Sequence, residues 1–542
     1  MVLDFSKEKI MKKYVLAYDV GTTGLKTCLI EIDKNMKIIA SANEGYKLYV
    51  FDDGGAEQDP EEWWSAMCHT TKAVFEKTDI RPEQIEGVSF CSQAQGLVLV
   101  DKDGVPVHRA FSYMDQRATA EMKKCVANGL QVAGCNIAKL LPALMITGAA
   151  PISVKDPVWK YHWLRAHEPE NFARVYKWLD VKEYLICRMT GEFVMTYDSA
   201  FGTEMYDYKN KCFSKKMCKL FEVNIEHFPR LINSTDCAGT VHEKASAELG
   251  LAVGTKVFGG GMDANLIGVG AGSTAVGDTH IYSGTSGWIG TITEKSVVDV
   301  SHMIAATVAA QPGKFNYFAE METSGKCLEW VKDHIALDEV GVYYNKVHIT
   351  DVEKRHLSLF SYMTEVVAKI PAGSGGVIFT PWLHGNRCPF EDPYSRGMFF
   401  NISLETGKTE LIRAVLEGVC YHKRWMLESC ALKVKPSDTI RFVGGGALSD
   451  FTCQLLADVT GHRIETVDSP QNVGAMGAAA CVGVGIGAIE NFDRIKDFIP
   501  ASKTFEPNLK LKAEVYDKQF EVFKTLYKTN KKNFGILNSN KG

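Results

Sequence analysis

The apolar positions of this chain fall into short runs of strand length, separated by polar turns and helical stripes. Tyr14–Asp19 is a short apolar run that ends on a carboxylate, which predicts a buried strand. Leu29–Ile32, Ile38–Ala42 and the alternating Tyr46, Leu48 and Val50 continue the pattern as further strands of one sheet. Pro60 opens a helix whose Trp64, Met67, Cys68, Val74 and Phe75 share one face. Ile85–Cys91 returns as a strand. Leu97–Val100 and Val105–Val107, joined by Asp101-Lys102-Asp103-Gly104, read as a hairpin. The order of three strands, a helix and a strand predicts an α/β layer architecture.

From Ala118 to His242 the pattern is mostly helical. Val257–Gly261 and Thr279–Tyr282 restart strands. Arg441–Val443 is another, followed by a Gly-rich turn and a helix ending near Asp458. Val473 to Ile489 is rich in Gly and Ala and only weakly apolar, which predicts a tightly packed internal helix rather than a membrane span. At 542 residues the chain exceeds one ordinary core. The second half repeats the logic of the first, so a duplication at domain scale is expected. The divisions are residues 14–262, residues 263–490 and a helical tail over 491–542.

Composition adds exclusions. The formal net charge of -4 gives no electrostatic reason to expect nucleic acid or a membrane surface as partner. Fifteen cysteines are scattered without a C-x-x-C pair, which predicts reduced thiols and a cytoplasmic setting. No long apolar segment precedes Asp19, so no secretory signal is expected.

The candidate chemistry starts in two similar turns. Asp19-Val20-Gly21-Thr22-Thr23-Gly24-Leu25-Lys26 and Ser283-Gly284-Thr285-Ser286-Gly287 each take an apolar strand through glycine and hydroxyl residues into another strand. Glycine admits close approach of an anion, and adjacent hydroxyls and N–H groups hold phosphate oxygens. Two such turns suit the two ends of a polyphosphate, and no G-x-x-x-x-G-K-[ST] loop occurs. Asp19, at the strand end, can bind Mg2+ beside phosphates or can simply cap its turn. Asp263 follows Gly259-Gly260-Gly261-Met262. A carboxylate there can take the proton of a hydroxyl attacking a γ-phosphate, or can cap the helix Ala264–Val269. Gly444-Gly445-Gly446-Ala447-Leu448-Ser449 offers a backbone against which a flat ring or phosphate can lie, or is a simple tight turn. Tyr113-Met114-Asp115-Gln116-Arg117 combines an aromatic, a carboxylate and a guanidinium that suit a polyol or sugar; its alternative is a surface Asp–Arg pair.

With these residues in place, the chain resembles the FGGY carbohydrate kinases over about Tyr14 to Gly487. Asp19-Val20-Gly21-Thr22-Thr23-x-x-Lys26 is similar to their first phosphate motif, and Ser283-Gly284-Thr285-Ser286 to their second. Gly444-Gly445-Gly446-Ala447-x-Ser449 is similar to their adenosine motif, and Asp263 falls where the family carries its catalytic base. Both family signatures are present, around Pro157–Leu164 and from Phe399 to Gly418, with Lys155, Ala166 and Asn401 as departures. The resemblance implies two actin/hexokinase-like (ribonuclease H-like) α/β domains with an ATP and sugar cleft between them. It also implies ATP and Mg2+ as requirements, a small sugar or polyol as acceptor, and a possible homodimer. Asp19 would take the metal. Gln93, Ala94, Gln95, Tyr113, Asp115 and Asn265, with Asp263, would face the sugar. Within the family the similarity is greatest to the xylulokinase branch. Ala94-Gln95 and Ala264 depart from that branch's usual pocket, which leaves L-xylulose, ribulose and erythritol beside D-xylulose, and a non-catalytic sugar sensor beside a kinase.

Overall fold

The computed structural model describes residues 12–132, 134–149, 151–335 and 366–539. These group into two compact units. The first comprises the described residues up to Gly270 together with Val308–Lys314 and Gly474–Ile499; the second comprises the rest. The grouping is not linear in sequence: Gly474–Ile499, near the end of the chain, packs with the first unit.

In the first unit Lys13–Val20 and Gly24–Ile32 form an antiparallel hairpin, and Met36–Gly45 extends it. On the other side of Lys13–Val20 lies Ile85–Ser92, parallel to it, then parallel Lys256–Phe258 and antiparallel Cys237–Thr240. Gly261–Met262 pairs with the end of Ile85–Ser92. Strands buried on both faces explain the unbroken apolar run from Val15 to Tyr18.

The helix Pro60–Phe75 begins where its sequence says it should. Pro60 stands at the first position, and the Asp59 side chain accepts the Glu61 N–H at 3.0 Å. It buries Trp63, Trp64, Met67 and Val74. Two hydroxyl pairs join it to the sheet, Thr70 to Thr27 at 2.7 Å and Thr71 to Tyr18 at 2.8 Å. The expected hairpin at 97–107 forms, with the Val107 N–H donating to Leu99 O at 2.9 Å, and Val98–Val100 also pairs antiparallel with Lys177–Leu179.

The second unit has an eight-stranded sheet in the order Val298–Asp299, Ile304–Val308, Phe315–Met321, Gly287–Thr293, Thr279–Ser283, Thr439–Val443, Arg463–Thr466 and Lys503–Phe505. Its last six strands run antiparallel, antiparallel, parallel, parallel and antiparallel to one another. The first sheet, read from Met36–Gly45, shows the same five relations. The duplication expected from the sequence is therefore visible in topology, with the chain order of the two outermost strands exchanged.

The Gly- and Ala-rich stretch is the helix Val473–Gly485, whose Ala478, Ala479 and Ala480 are fully buried. A Cβ on Gly477 would overlap the Leu266 carbonyl, so this helix touches its neighbour backbone to backbone. No described helix is long and apolar enough to cross a membrane. The tail ends in the helix Asp517–Asn538, which buries Phe520, Phe523, Leu526, Tyr527 and Phe534. All fifteen cysteines are unpaired.

Candidate active site

Strand register builds the first half of the site. Cys91 is opposite Asp19 on one side and opposite Gly261 on the other. Asp19 at the end of its strand and Asp263 just past Met262 thus flank the same buried thiol. Burial and then the negative charges of Asp19 and Asp263 push the Cys91 thiol well above its ordinary value. Burial likewise raises the Asp19 carboxyl, opposed by Lys26 and by a hydrogen bond from Cys91. Lys26 is the antiparallel partner of Asp19 across the hairpin.

The turn between them is held by its carbonyls. Gly21 N–H donates to Gly24 O at 2.9 Å, and Tyr46 Oη donates to Gly21 O and Gly24 O. Gln58 Nε2 donates to Thr22 O at 2.6 Å. With the carbonyls occupied, Thr23 stands exposed at the tip. The helix Val473–Gly485 approaches from behind: a Cβ on Gly474 would lie 2.5 Å from Asp19 Oδ2. Only glycine leaves this carboxylate its place.

Asp263 is the first residue of the helix Asp263–Gly270, and its Oδ1 accepts the Ala264 N–H at 2.7 Å. That bond to the adjacent N–H holds the side chain at a partly exposed position. Gly260, at φ +64°, explains part of the triple glycine, because a Cβ there would overlap the Phe90 carbonyl. A buried network holds the segment from the other side. Asp198 Oδ2 accepts the Met262 N–H at 2.8 Å and Asn265 Nδ2 at 3.2 Å. Its Oδ1 accepts the Ser199 N–H at 2.9 Å and the Thr196 hydroxyl at 2.5 Å. Lys182 donates to Thr196 Oγ1 at 2.6 Å and Ser199 Oγ at 2.8 Å, and pairs with Glu183. Asn265 Nδ2 also donates to Val308 O at 2.9 Å.

Gln93 is buried beside this turn. Its N–H donates to Val20 O at 2.8 Å and its Nε2 to Gln58 Oε1 at 2.9 Å. Its Oε1 is buried and has no partner among the described residues. After partly buried Ala94, Gln95 takes φ +58°, donates its N–H to Asp180 Oδ2 at 3.1 Å, and receives Lys160 Nζ on its carbonyl at 3.4 Å. Lys160 belongs to the first signature and is fully buried.

Tyr113 is exposed (38%), but Asp115 is not at the surface at all. The surface-pair alternative is therefore corrected: Asp115 is 0% and Arg117 7% exposed at the side chain. Asp115 Oδ2 accepts from the Ala56 N–H at 2.7 Å and from Arg117 Nε and Nη2 at 2.9 and 2.7 Å; Oδ1 accepts the Arg117 N–H at 3.2 Å. Both oxygens are engaged within the protein, and the pair anchors the loop that carries Tyr113.

The second unit holds the other glycine turns. Ser283-Gly284-Thr285-Ser286 closes the hairpin between Thr279–Ser283 and Gly287–Thr293. The Gly-rich turn follows Thr439–Val443 as Gly445–Leu448. Gly444, at φ +91°, lies against Ser283: a Cβ there would be 2.6 Å from Ser283 O. The two turns thus meet, and a cavity of about 220 Å³ opens between them, lined by Gly284, Thr285, Ser324, Lys423, Gly445 and Gly446 among others. Ser286, Ala447 and Ser449 stand outside that lining. Ser449 caps the helix Asp450–Thr460, its Oγ accepting the Thr452 N–H at 3.2 Å.

Three residues here escaped the sequence reading. Asp198 and Lys182 act through a network that only the fold assembles. Lys423 left a signal: it continues the apolar stripe Leu416, Val419, Cys420 and Leu427 of the helix Lys408–Ala431, where an apolar side chain is the rule. Among the described residues no cluster of three or more His, Cys, Asp and Glu could hold a metal by itself.

Paired glycine–hydroxyl turns on duplicated α/β sheets, with Asp19 and Asp263 on either side of Cys91, go together with a phosphotransferase of the sugar-kinase class. The model of the N-terminal domain of the FGGY family of carbohydrate kinases matches residues 14–270, and that of the C-terminal domain matches residues 280–486. The chain belongs to the FGGY family and is a sugar kinase. It is 27% identical to a xylulose kinase of Bacillus subtilis over 516 residues, covering 95% of this chain and 97% of that one. It is 26% identical to a gluconokinase of the same organism, with 92% of each chain covered. The structures of a gluconate kinase and of a ligand-bound xylulose kinase, both from Lactobacillus acidophilus, superpose with a TM-score of 0.82 at 25% identity. Each covers 97% of this chain and 100% of its own.

Proposed function

We propose that this kinase transfers the γ-phosphoryl group of ATP to a hydroxyl of a ketopentose, D-xylulose before others, giving D-xylulose 5-phosphate. The observation that carries the reading is the placement of Asp263, next to the thiol that also contacts Asp19 and in a turn whose Met262 and Asn265 are held by Asp198. Several of the similar curated proteins are xylulose kinases, which supports the sugar assignment. Asp263 accepts the proton of the attacking hydroxyl as the new O–P bond forms and the bond from Pγ to the bridging oxygen breaks, releasing ADP. Gln93 Oε1 accepts a hydrogen bond from a second sugar hydroxyl, and Tyr113 and Gln95 border the sugar. Asp115, its oxygens engaged by Ala56 and Arg117, holds the Tyr113 loop. Asn265 steadies the Asp263 turn through Asp198.

Thr22, Thr23 and Lys26 on the first unit and Gly284, Thr285 and Ser286 on the second serve the phosphates, and the Gly445-Gly446-Ala447 turn with Ser449 serves the adenosine. Mg2+ takes one or two carboxylates and completes its shell with phosphates and water. The partly buried Asp19 carboxylate, in the space that Gly474 leaves, fits that demand. The ion when bound neutralises charge on the phosphates.

Gluconate is the second reading, favoured by gluconokinase relatives of similar identity. Sugar-dependent ADP formation from ATP and Mg2+ separates the two when measured with D-xylulose, L-xylulose, D-ribulose, L-ribulose, erythritol, glycerol and gluconate. The reading expects the highest kcat/KM for D-xylulose. A higher value for any other acceptor moves the assignment to that acceptor, and ADP formation with none of them favours a sensor.

A further inference from the structure

The nucleotide side of the proposed reaction leaves one charged group unexplained. Lys423 is 1% exposed in the middle of the helix Lys408–Ala431. Its Nζ donates to Ser283 Oγ at 2.9 Å, and that hydroxyl lies 2.7 Å from Ser324 Oγ. The ring of Phe442 lies 5.0 Å from the ammonium. Among the described residues no carboxylate reaches ion-pair distance of it. Glu329 lines the same cavity without pairing with it. Burial pushes it down to about 8, opposed by the neighbouring thiols of Cys420, Cys327 and Cys453. An ammonium buried without a counter-charge is costly, and its natural complement is an anion that arrives from outside.

The cavity supplies the place. Lys423 lines it together with Ser283, Gly284 and Thr285 of one turn and Gly445 and Gly446 of the other. A Cβ on Gly446 would be 2.7 Å from Ser283 Oγ, so the second turn is pressed against the hydroxyl that Lys423 holds. The lysine therefore stands at the junction of the turn expected to serve phosphates and the turn expected to serve adenosine. In a nucleotide, the group at that junction is the phosphate attached to the ribose.

We infer that Lys423 contacts the α-phosphate of the bound nucleotide and selects phosphorylated nucleosides over the nucleoside. The inference rests on the assignment of this cavity to ATP. Ser283 orients the ammonium in the unliganded protein and keeps its hydroxyl contact to Ser324 when the phosphate takes a second N–H. Nothing in the phosphate and adenosine motifs includes this position, which lies in the helix behind them.

The test compares binding of ADP, AMP and adenosine to the whole protein by calorimetry, with adenosine read by competition against ADP. Lys423→Met removes the charge and fills the space with an apolar chain. Lys423→Gln keeps a donor for Ser283 and loses only the charge. Melting of each unliganded variant monitors folding. The expected result is a loss of about 10- to 100-fold in ADP and AMP affinity in both variants, the range for a charge-assisted hydrogen bond, with adenosine unchanged within about twofold. Unchanged ADP affinity in a folded variant overturns the inference and leaves the kinase reading intact. An equal loss for adenosine overturns it in favour of a base or ribose contact. Failure of the wild-type protein to bind ADP overturns the nucleotide assignment of the cavity and the inference with it.

Discussion

Asp198→Asn perturbs the site without touching substrate. The carboxylate accepts four hydrogen bonds, two from the Asp263 turn (Met262 N–H and Asn265 Nδ2) and two from its own segment (Ser199 N–H and the Thr196 hydroxyl). An amide keeps one accepting atom and turns the other into a donor. The Thr196 hydroxyl can rotate to accept, but the backbone N–H of Met262 or of Ser199 must then face an NH2 group. Leaving one buried donor unmatched costs roughly 1–3 kcal/mol. Such a loss spares a unit of this size from unfolding and lowers its melting temperature by a few degrees. Lys182 loses its nearby negative charge but retains Glu183. The effect on rate should exceed the effect on stability, because Met262 directly precedes Asp263. A displacement of about 1 Å at a reacting group can cost on the order of a hundredfold. Steady-state kinetics should therefore show kcat reduced about 10- to 100-fold with the KM for sugar altered less than threefold. The conservative partner change Asn265→Ala, which removes one arm only, should lie between wild type and Asp198→Asn. A folded Asp198→Asn enzyme with kcat within twofold of wild type would refute the claim that this network positions Asp263.

Two further outcomes follow from the packing. Gly474→Ala places a methyl 2.5 Å from Asp19 Oδ2, so the carboxylate must shift to make room; kcat/KM for ATP–Mg2+ should fall at least about tenfold with little change in melting, and ordinary activity would show that the position of the Asp19 carboxylate does not matter to the reaction. His162, His280 and His422 are each held down to about 4 by burial, from an ordinary 6.5. The unfolded chain binds more protons between those values, so stability is present above pH 6.5 and declines as pH falls toward 4, by roughly 3 kcal/mol per histidine at the limit. His422, which receives the Trp382 N–H and donates to Cys388 O, should when changed to Gln remove one proton from the slope of denaturation free energy against pH; an unchanged slope would contradict its burial as a neutral ring.

Much of the candidate site has a local mark in the sequence, because its residues sit where backbone rules leave one. The Gly-Thr-Thr and Gly-Thr-Ser turns interrupt apolar strands, Asp59-Pro60 announces a helix start, and Asp263 follows a glycine run that close backbone packing requires. Residues whose meaning depends on distant partners were not legible. Asp115 read as a sugar-facing carboxylate with a surface pair as its alternative, because nothing in the sequence says that the Ala56 N–H and a buried Arg117 engage its oxygens. Asp198 and Lys182 carry no motif, and their function exists only once Thr196, Met262 and Asn265 are brought together. The strand Val98–Val100 takes Lys177–Leu179 as a second neighbour beside its hairpin partner, and Gly474–Ile499 packs with the first unit, because burial of apolar surface draws in segments distant in sequence. The second signature illustrates the reverse case. Its Glu417 accepts from Arg413 Nε at 2.8 Å, Ser374 Oγ at 2.7 Å and the Gly373 N–H at 3.0 Å, so a strong family marker serves here to staple the second unit.

In the proposed reaction Asp263 takes the proton of the sugar hydroxyl. The Asp263→Asn enzyme isolates that step when it is assayed for sugar binding by calorimetry and for single-turnover phosphoryl transfer under the same conditions. Sugar affinity is expected within about threefold of wild type, and transfer is expected to slow by about 10²- to 10⁴-fold, the range for loss of a general base. Transfer within about tenfold of wild type, with binding retained, would remove Asp263 from this role.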